Sequence, residues 1–76
     1  MSIRAEIQQA LERELPACEV RIDRANYDND RARVTVRLRG GSHEESEVVD
    51  PLEVLAGGAR DVALDLYRRL REAELA

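Results

Sequence analysis

The sequence contains no lysine, no phenylalanine and no tryptophan, and it has a single cysteine. Because Cys18 has no second cysteine with which to form an internal disulfide, the composition favours a reducing compartment. No apolar run approaches the roughly 20 residues of a membrane-spanning helix, and Met1 leads into an amphipathic pattern rather than a signal peptide. We therefore expect a cytoplasmic protein with no membrane partner.

The 76 residues are enough for one small domain, which we assign to residues 1–76. Because two tyrosines are its only aromatic residues, the core must be built from Ile, Val, Leu and Ala. Aromatic side chains would otherwise provide the largest single areas of buried apolar surface. Such a core is thin, and a homodimer that covers one more apolar face would strengthen it.

All twelve basic residues are arginines, and sixteen acidic residues bring the formal net charge to −4. This negative charge argues against a protein whose main task is to neutralise phosphates. The absence of lysine has two explanations that composition does not separate. Either the coding sequence is GC-rich, which favours arginine and alanine, or the protein needs the planar, bidentate contacts of guanidinium groups.

The first element is predicted to be a helix over residues 3–15. Ser2 is suited to cap its N-terminus, and Pro16 ends it. Apolar side chains recur with helical spacing at Ile3, Ile7, Ala10, Leu11 and Leu15. The helix therefore has one apolar face to pack against a core.

Apolar and polar residues then alternate over residues 18–25 and again over residues 32–38, which predicts two strands. The turn-forming residues 26–30 between them favour an antiparallel hairpin. Residues 42–49 follow the turn signal Gly40-Gly41, begin with polar residues and end in two valines. They fit either a third strand or a loop, and we expect the strand.

The register of this third strand depends on the length of the turn before it. A two-residue Gly-Gly turn would direct His43, Glu45 and Glu47 towards the core, where unpaired polar and charged groups are unfavourable. A three-residue loop centred on Gly41 instead places Arg37 opposite Glu45, and Thr35 opposite Glu47, on the solvent side. We predict the second register.

A second helix must begin at Asp50. Asp50 is suited to cap the helix, Pro51 takes its first position, and Glu53 follows two residues later as in a capping box. The pair Gly57-Gly58 interrupts the pattern at a cost of roughly 1 kcal/mol per glycine. We expect one kinked helix or two nearly continuous helices.

The resulting order is helix, strand, strand, a third strand if residues 42–49 form one, and helix. This order predicts the α+β class, as a two-layer sandwich in which a small antiparallel sheet carries both helices on one face. The other face of the sheet is then open to solvent or to a partner.

The open face is the candidate binding face. The second strand and its ends contribute an arginine stripe with Thr35 at its centre, and the first strand adds Arg21; the stripe consists of Arg31, Arg33, Arg37 and Arg39. Acidic residues of the neighbouring strands are expected on the same face, where opposite charges stabilise a sheet. A charge-laced structural face is the favoured interpretation, followed by a protein-binding face and then a nucleic-acid-binding face.

A second basic group lies near the C-terminus and consists of Arg68, Arg69 and Arg71. These are the alternative nucleic-acid contacts. Arginines in the last turns of a helix also suit its dipole, and nearby acids offer them ion pairs. The structural interpretation is again favoured.

No catalytic or metal-binding group is predicted, and we expect no cofactor. His43 and Cys18 are lone residues of their types and share no nucleophile motif. Asn26, Asp28 and Asp30 have the spacing that opens a calcium loop, but arginine stands where that loop needs glycine. These residues are interpreted as a turn.

Two families share features with the chain. The element order resembles that of double-stranded RNA-binding domains, which implies RNA binding, although the segment 50–53 is acidic where that family carries a basic cluster. Residues 7–38, with their helix, Leu15-Pro16 and hairpin, are similar to the opening of the BolA family. The basic, often His-containing segment and later strand of that family do not follow.

These observations favour a small cytoplasmic bacterial domain that is not an enzyme and binds another protein or a second copy of itself. The alternative is an RNA-binding domain that uses the arginine stripe and the C-terminal arginines. Enzymatic activity is the third and least favoured hypothesis.

Overall fold

Three antiparallel strands form one sheet in the order β1-β2-β3, and the helices pack against one of its faces. The computed structural model describes residues 2–23 and 31–75. The elements are α1 (Ile3–Glu14), β1 (Cys18–Asp23), β2 (Ala32–Leu38), β3 (Glu44–Val49), α2 (Pro51–Glu53) and α3 (Ala59–Leu75). This α+β arrangement confirms the predicted fold class, including the third strand. The predicted turn at residues 26–30 lies outside the described residues.

The helix α1 begins and ends as its sequence predicts. The hydroxyl of Ser2 accepts a hydrogen bond from the Ala5 backbone N–H at 3.2 Å, which satisfies one of the free donors of the first turn. Leu15 leaves the helical conformation just before Pro16. Ile7 and Leu11 are completely buried, so one face of α1 contributes to the core.

The second helical segment begins at Asp50, whose Oδ1 accepts from the Leu52 N–H at 2.9 Å. Its helical path is interrupted at Gly57, which has φ +116°, a conformation that other residues adopt only with strain. A Cβ on Gly58 would lie 2.8 Å from the Glu53 carbonyl oxygen. The glycine pair therefore permits the sharp kink that leads into α3. A kink at these glycines is what the sequence predicts.

The core lies between the sheet and the two long helices, and its buried members among the described residues are aliphatic apart from one thiol, with Tyr67 packed partly buried against them. Its completely or almost completely buried members are Ile7, Leu11, Leu66, Leu70, Val34, Val36 and Cys18. The even-numbered residues of β1 and β2 face this core. The odd-numbered residues of both strands therefore point to the opposite, uncovered side.

The predicted register of β3 is wrong. Arg37 lies opposite Glu44 rather than Glu45, and the Gly41 N–H closes the turn by donating to the Leu38 carbonyl at 2.8 Å. The shift of one residue reverses the face of every β3 side chain. Glu45 therefore lies on the helix side of the sheet, together with Glu47.

Candidate functional site

The uncovered side of the sheet, termed the outer face, carries three rows of side chains across the three strands. The rows are Glu19–Arg37–Glu44, Arg21–Thr35–Ser46 and Asp23–Arg33–Val48. Within these rows of described residues, three arginines alternate with three acids, so the charges of the rows balance. The structure thus brings together four of the predicted binding-face residues, Arg21, Arg33, Thr35 and Arg37, but surrounds them with carboxylates.

In the first row, Arg37 is paired with a glutamate of the same row. Arg37 donates from Nε to Glu19 Oε2 at 3.0 Å, and its terminal nitrogen forms an ion pair with the same oxygen. This hydrogen bond and the opposite charge of Glu19, followed by the charge of Glu44, raise the pKa of Arg37. The same hydrogen bond, followed by the charge of Arg37, lowers the pKa of Glu19. The charge of Arg37 is therefore balanced within its own row.

The second row is held mainly by a hydroxyl pair. Thr35 Oγ1 and Ser46 Oγ are 2.9 Å apart, and Thr35 is only 5% exposed although no helix covers it. Arg21 extends over this row, with its nitrogens 3.8 Å from Asp23 and 3.9 Å from Glu44. Its side chain is 62% exposed, so these long contacts leave the guanidinium accessible.

The third row is open. Arg33 is exposed and forms no ion pair within residues 2–23 and 31–75, in contrast to Arg37 in the first row. Val48, directly opposite it on β3, is 52% exposed. A cation and an apolar side chain thus remain accessible side by side at one end of the outer face.

The two ends of the arginine stripe separate from this face. Arg39 follows β2 and its Nε donates to the Pro16 carbonyl at 3.4 Å. Arg31 precedes β2 and lines a groove together with acidic residues that include Asp50 and Asp61. The stripe therefore does not form one continuous binding surface.

The three C-terminal arginines do not converge either. Arg68 pairs with Asp65 at 2.8 Å and with Glu72 at 3.5 Å, and Arg71 lies over the Tyr67 ring, 5.9 Å from its centroid. The side chain of Arg69 instead lies between α3 and β3, where it contacts Glu45 and Glu47. The alternative nucleic-acid contacts are thus distributed among separate ion pairs and a ring contact.

Arg69 is the centre of a cluster that the sequence did not reveal. Its terminal nitrogens lie 3.0 Å from Glu47 and 3.7 Å from Glu45, and its Nε lies 3.4 Å from Asp65 without hydrogen-bond geometry. The pKa of Glu47 is raised mainly by its burial. The hydrogen bond with Asp65 and the negative charge of Asp65 raise it further. In contrast, hydrogen bonds from Arg68 and with Glu47 lower the pKa of Asp65.

A signal for this cluster was present in the sequence. If Val49 faces the core, strand alternation places Glu47 and Glu45 on the same side. Asp65 and Arg69 are four residues apart on α3 and so share one flank of that helix. Two acids turned inwards needed a cation from the facing helix, and Arg69 is that cation.

The residues considered for catalysis occupy ordinary positions. His43 is exposed, and its Nδ1 lies 3.3 Å from Glu74 Oε1. Cys18 is buried, and burial raises the pKa of its thiol while the charge of Arg39 opposes the shift. Among the described residues, no group of three or more His, Cys, Asp or Glu side chains is arranged to hold a metal ion.

Within the same part of the chain, no helix has the length and apolar character needed to cross a bilayer. Compared with known proteins, the chain matches no family model, no curated protein and no solved structure. Neither the resemblance to double-stranded RNA-binding domains nor that to the BolA family gains support from a match. Functional inference therefore depends on the surface chemistry of the domain.

Proposed function

We propose that the protein is a small, non-enzymatic interaction domain that binds another protein through the outer face of its sheet. The observation that carries this proposal is the contrast between the rows of that face. The Glu19–Arg37–Glu44 row is occupied by its own ion pair, whereas Arg33 and Val48 remain accessible next to each other. A cation beside an exposed apolar residue is suited to a partner that combines a carboxylate with an apolar side chain.

The chemistry of the third row defines this partner further. A carboxylate of the partner would form a bidentate pair with the Arg33 guanidinium, and an apolar side chain next to it would cover Val48. The accessible guanidinium of Arg21 lies one row away and provides a second contact for an acidic segment. Alternating charges on the rest of the face would determine the orientation of the partner rather than add much affinity.

The charge distribution favours a protein partner over RNA, which was the alternative from the sequence. Arginines and acids are equal in number on the outer face, and the second helical segment begins with Asp50 and Glu53. No aromatic side chain lies among the residues of the three rows, whereas sheets that bind single-stranded RNA commonly stack bases on aromatic rings. The C-terminal arginines point in different directions, as described above.

The test is affinity capture from native lysate with matched charge reversals. We expect a nuclease-resistant protein to be retained by the wild type and by Arg4→Glu, which makes the same charge change on the exposed side of α1. Arg33→Glu should lose that protein, and Val48→Asn should bind it more weakly. Equal retention by Arg33→Glu would contradict the proposal. Capture that nuclease abolishes would favour the RNA-binding alternative instead.

A further inference from the structure

The strand β3 lies at an open edge of the sheet, with β2 as its neighbour in the described part of the chain. Thr35 and Ser46 lie side by side on the outer face, but Thr35, which has a strand on each side, is only 5% exposed, whereas Ser46 is exposed. Glu44 and Val48, which precede and follow Ser46 on the same face, are exposed as well. The flank of β3 that is turned away from β2 therefore borders solvent.

The ladder shows which backbone groups point to this open flank. The Arg39 N–H donates to the Ala17 carbonyl at 3.0 Å, so the odd-numbered residues of β2 bond to β1 and its even-numbered residues bond to β3. The residues of β3 opposite those even-numbered residues are Glu45, Glu47 and Val49. The N–H and C=O groups of Glu44, Ser46 and Val48 thus point away from β2, and none has a backbone partner within the described residues. Three exposed residues therefore present donors and acceptors to a further strand.

The charges of β3 disfavour a second copy of the same strand at this edge. β3 reads Glu44-Glu45-Ser46-Glu47-Val48-Val49. The antiparallel registers that overlap most of it are centred on residue 45, 46 or 47, and each places Glu45 or Glu47 opposite a glutamate of the second copy. Like charges across strands are unfavourable and opposite charges are favourable. The edge is therefore suited to a strand of opposite charge.

The helix side of the same edge opens into a groove of about 580 Å³ that extends from the end of β3 to the start of α3. Its acidic lining residues are Glu47, Asp50, Glu53 and Asp61, and Arg31 is the one arginine among the described residues that line it. Glu47 is paired with Arg69, and Asp50 caps the second helical segment. Glu53 and Asp61, in contrast, form no ion pair within residues 2–23 and 31–75. The groove thus retains negative charge that a cation of a bound segment would balance.

We propose that β3 binds an extended, basic segment of the protein partner as a fourth strand of the sheet. The segment exchanges backbone hydrogen bonds with Ser46 and Val48. Because side chains alternate along a strand, one apolar side chain of the segment covers Val48 on the outer face, and the next one, an arginine or lysine, enters the acidic groove on the helix side. Val48 also belongs to the proposed protein-binding face, so this contact rests on the proposed function to that extent. The backbone ladder and the groove do not involve Arg33.

Peptide binding to the full-length chain tests the added strand. The probe is a short acetylated peptide amide in which valine alternates with arginine, and the charge control carries glutamate in place of arginine. Titration calorimetry should show binding of the arginine peptide, and we expect the glutamate peptide to bind about tenfold more weakly or worse. A third peptide with N-methylated valines keeps the charge but lacks the donors that face β3, and it should not bind. Equal binding of either control peptide would overturn the proposal.

Two substitutions at one position separate the backbone ladder from the side chain. Ser46→Pro removes an outward N–H without removing a bond to β2, and edge strands tolerate proline at such positions. Ser46→Ala removes the hydroxyl and keeps the N–H. We expect Ser46→Pro to weaken binding of the arginine peptide by about tenfold or more, and Ser46→Ala to leave it nearly unchanged. Equal binding by the two variants would contradict the added strand.

A second pair of variants tests the groove. Asp61→Asn removes one of its carboxylates and should weaken binding of the arginine peptide by several-fold. Glu12→Gln makes the same charge change on the exposed side of α1 and should leave the binding unchanged. Equal binding by these two variants would show that the cation does not enter the groove.

Hydrogen exchange of the wild type provides a measurement that does not depend on whether the variants fold. The amides of Ser46 and Val48 should exchange rapidly in the free protein and become protected when the arginine peptide is added. Unchanged exchange at these amides, or no binding at roughly 1 mM peptide, would overturn the proposal.

The lysate capture described above distinguishes failure of the added strand from failure of the proposed function. A protein that Arg33→Glu loses but Ser46→Pro retains would leave the outer face as the binding face and overturn the added strand. A captured protein that Arg33→Glu retains, together with peptide binding that Ser46→Pro abolishes, would support the added strand and overturn the proposed function.

Discussion

Two arginines on opposite sides of the sheet illustrate different uses of the same side chain. Arg37 lies on the outer face between Glu19 and Glu44, where all three groups remain largely in contact with water. Arg69 lies on the helix side, 31% exposed, among three carboxylates of β3 and α3. Exposed ion pairs contribute little because water and salt screen them. A partly buried cluster depends far more on its counter-charge, because its carboxylates have lost part of their hydration.

The inner cluster supplies a counter-charge for the two glutamates that the register of β3 turns towards the helices. Glu45 and Glu47 face the helices on the same side of β3 as the buried Val49, and Arg69 meets them there, whereas Arg37 lies opposite Glu44 on the outer face. Stability and register should therefore respond much more to changes at Arg69 than to changes at Arg37.

The largest effect is expected from Arg69→Met. The variant keeps most of the aliphatic stem but leaves Glu45, Glu47 and Asp65 facing one another without a cation, and we expect a loss of about 1–3 kcal/mol in the free energy of unfolding. Urea denaturation at neutral pH measures it. Arg68→Met, one residue earlier on the exposed side, is the control. Equal destabilisation by the two variants would refute the distinction between the inner cluster and the surface.

A smaller effect of opposite sign is expected from Glu47→Gln. Burial raises the pKa of Glu47, so the folded state holds this proton more tightly than the unfolded state. Protonated Glu47 therefore adds to the free energy of unfolding. This contribution is fully present below the pKa that Glu47 has in the unfolded chain, and it is lost as the pH rises through its higher pKa in the folded protein. The amide keeps the hydrogen bond to Arg69 without the charge. We expect the Tm of the variant to match that of the wild type near about pH 4 and to exceed it at neutral pH.

Glu12→Gln, on the exposed face of α1, is the matched control for this pH series. Its Tm should follow that of the wild type across the same range, because Glu12 is exposed and its carboxylate accepts a hydrogen bond from Gln8 at the helix surface. A Glu47→Gln variant with a lower Tm than the wild type at neutral pH would show that the carboxylate is favourable where it lies.

The smallest effect is expected from Glu19→Gln on the outer face. The hydrogen bond from Arg37 lowers the pKa of Glu19, so this pair stabilises the fold above the unfolded pKa and is lost as the pH falls through the lower folded value. The variant should have a slightly lower Tm at neutral pH, and high salt should remove the difference. Thermal unfolding at low and high ionic strength measures it. A salt-independent loss as large as that of Arg69→Met would contradict the comparison.

Much of this fold was predictable because local chemistry specifies it. Ser2 and Asp50 cap helices through short hydrogen bonds to neighbouring amides, and alternation alone identifies the core-facing residues of β1 and β2. These signals involve residues close in sequence. The glycine pair before α3 likewise implied the kink that its backbone adopts.

The register of β3 and the inner cluster could not be obtained in the same way. The sequence argument treated Glu45 and Glu47 as unpaired if they faced inwards, because their cation, Arg69, lies more than twenty residues further along the chain. The outer-face positions of Arg33 and Arg37 followed from strand alternation. Which of the two remains accessible depended on the acids that the register of β3 brings to the face.

The buried thiol of Cys18 is a natural probe of how often β1 opens to solvent. Cys18 is 1% exposed as a whole residue, and burial raises the pKa of its thiol, so a thiol reagent reacts only after β1 has opened. Because the sequence has no other cysteine, the labelling rate relative to that of a free thiol gives the free energy of this opening without an engineered probe. Local fraying of β1 and complete unfolding then become distinguishable by their dependence on denaturant.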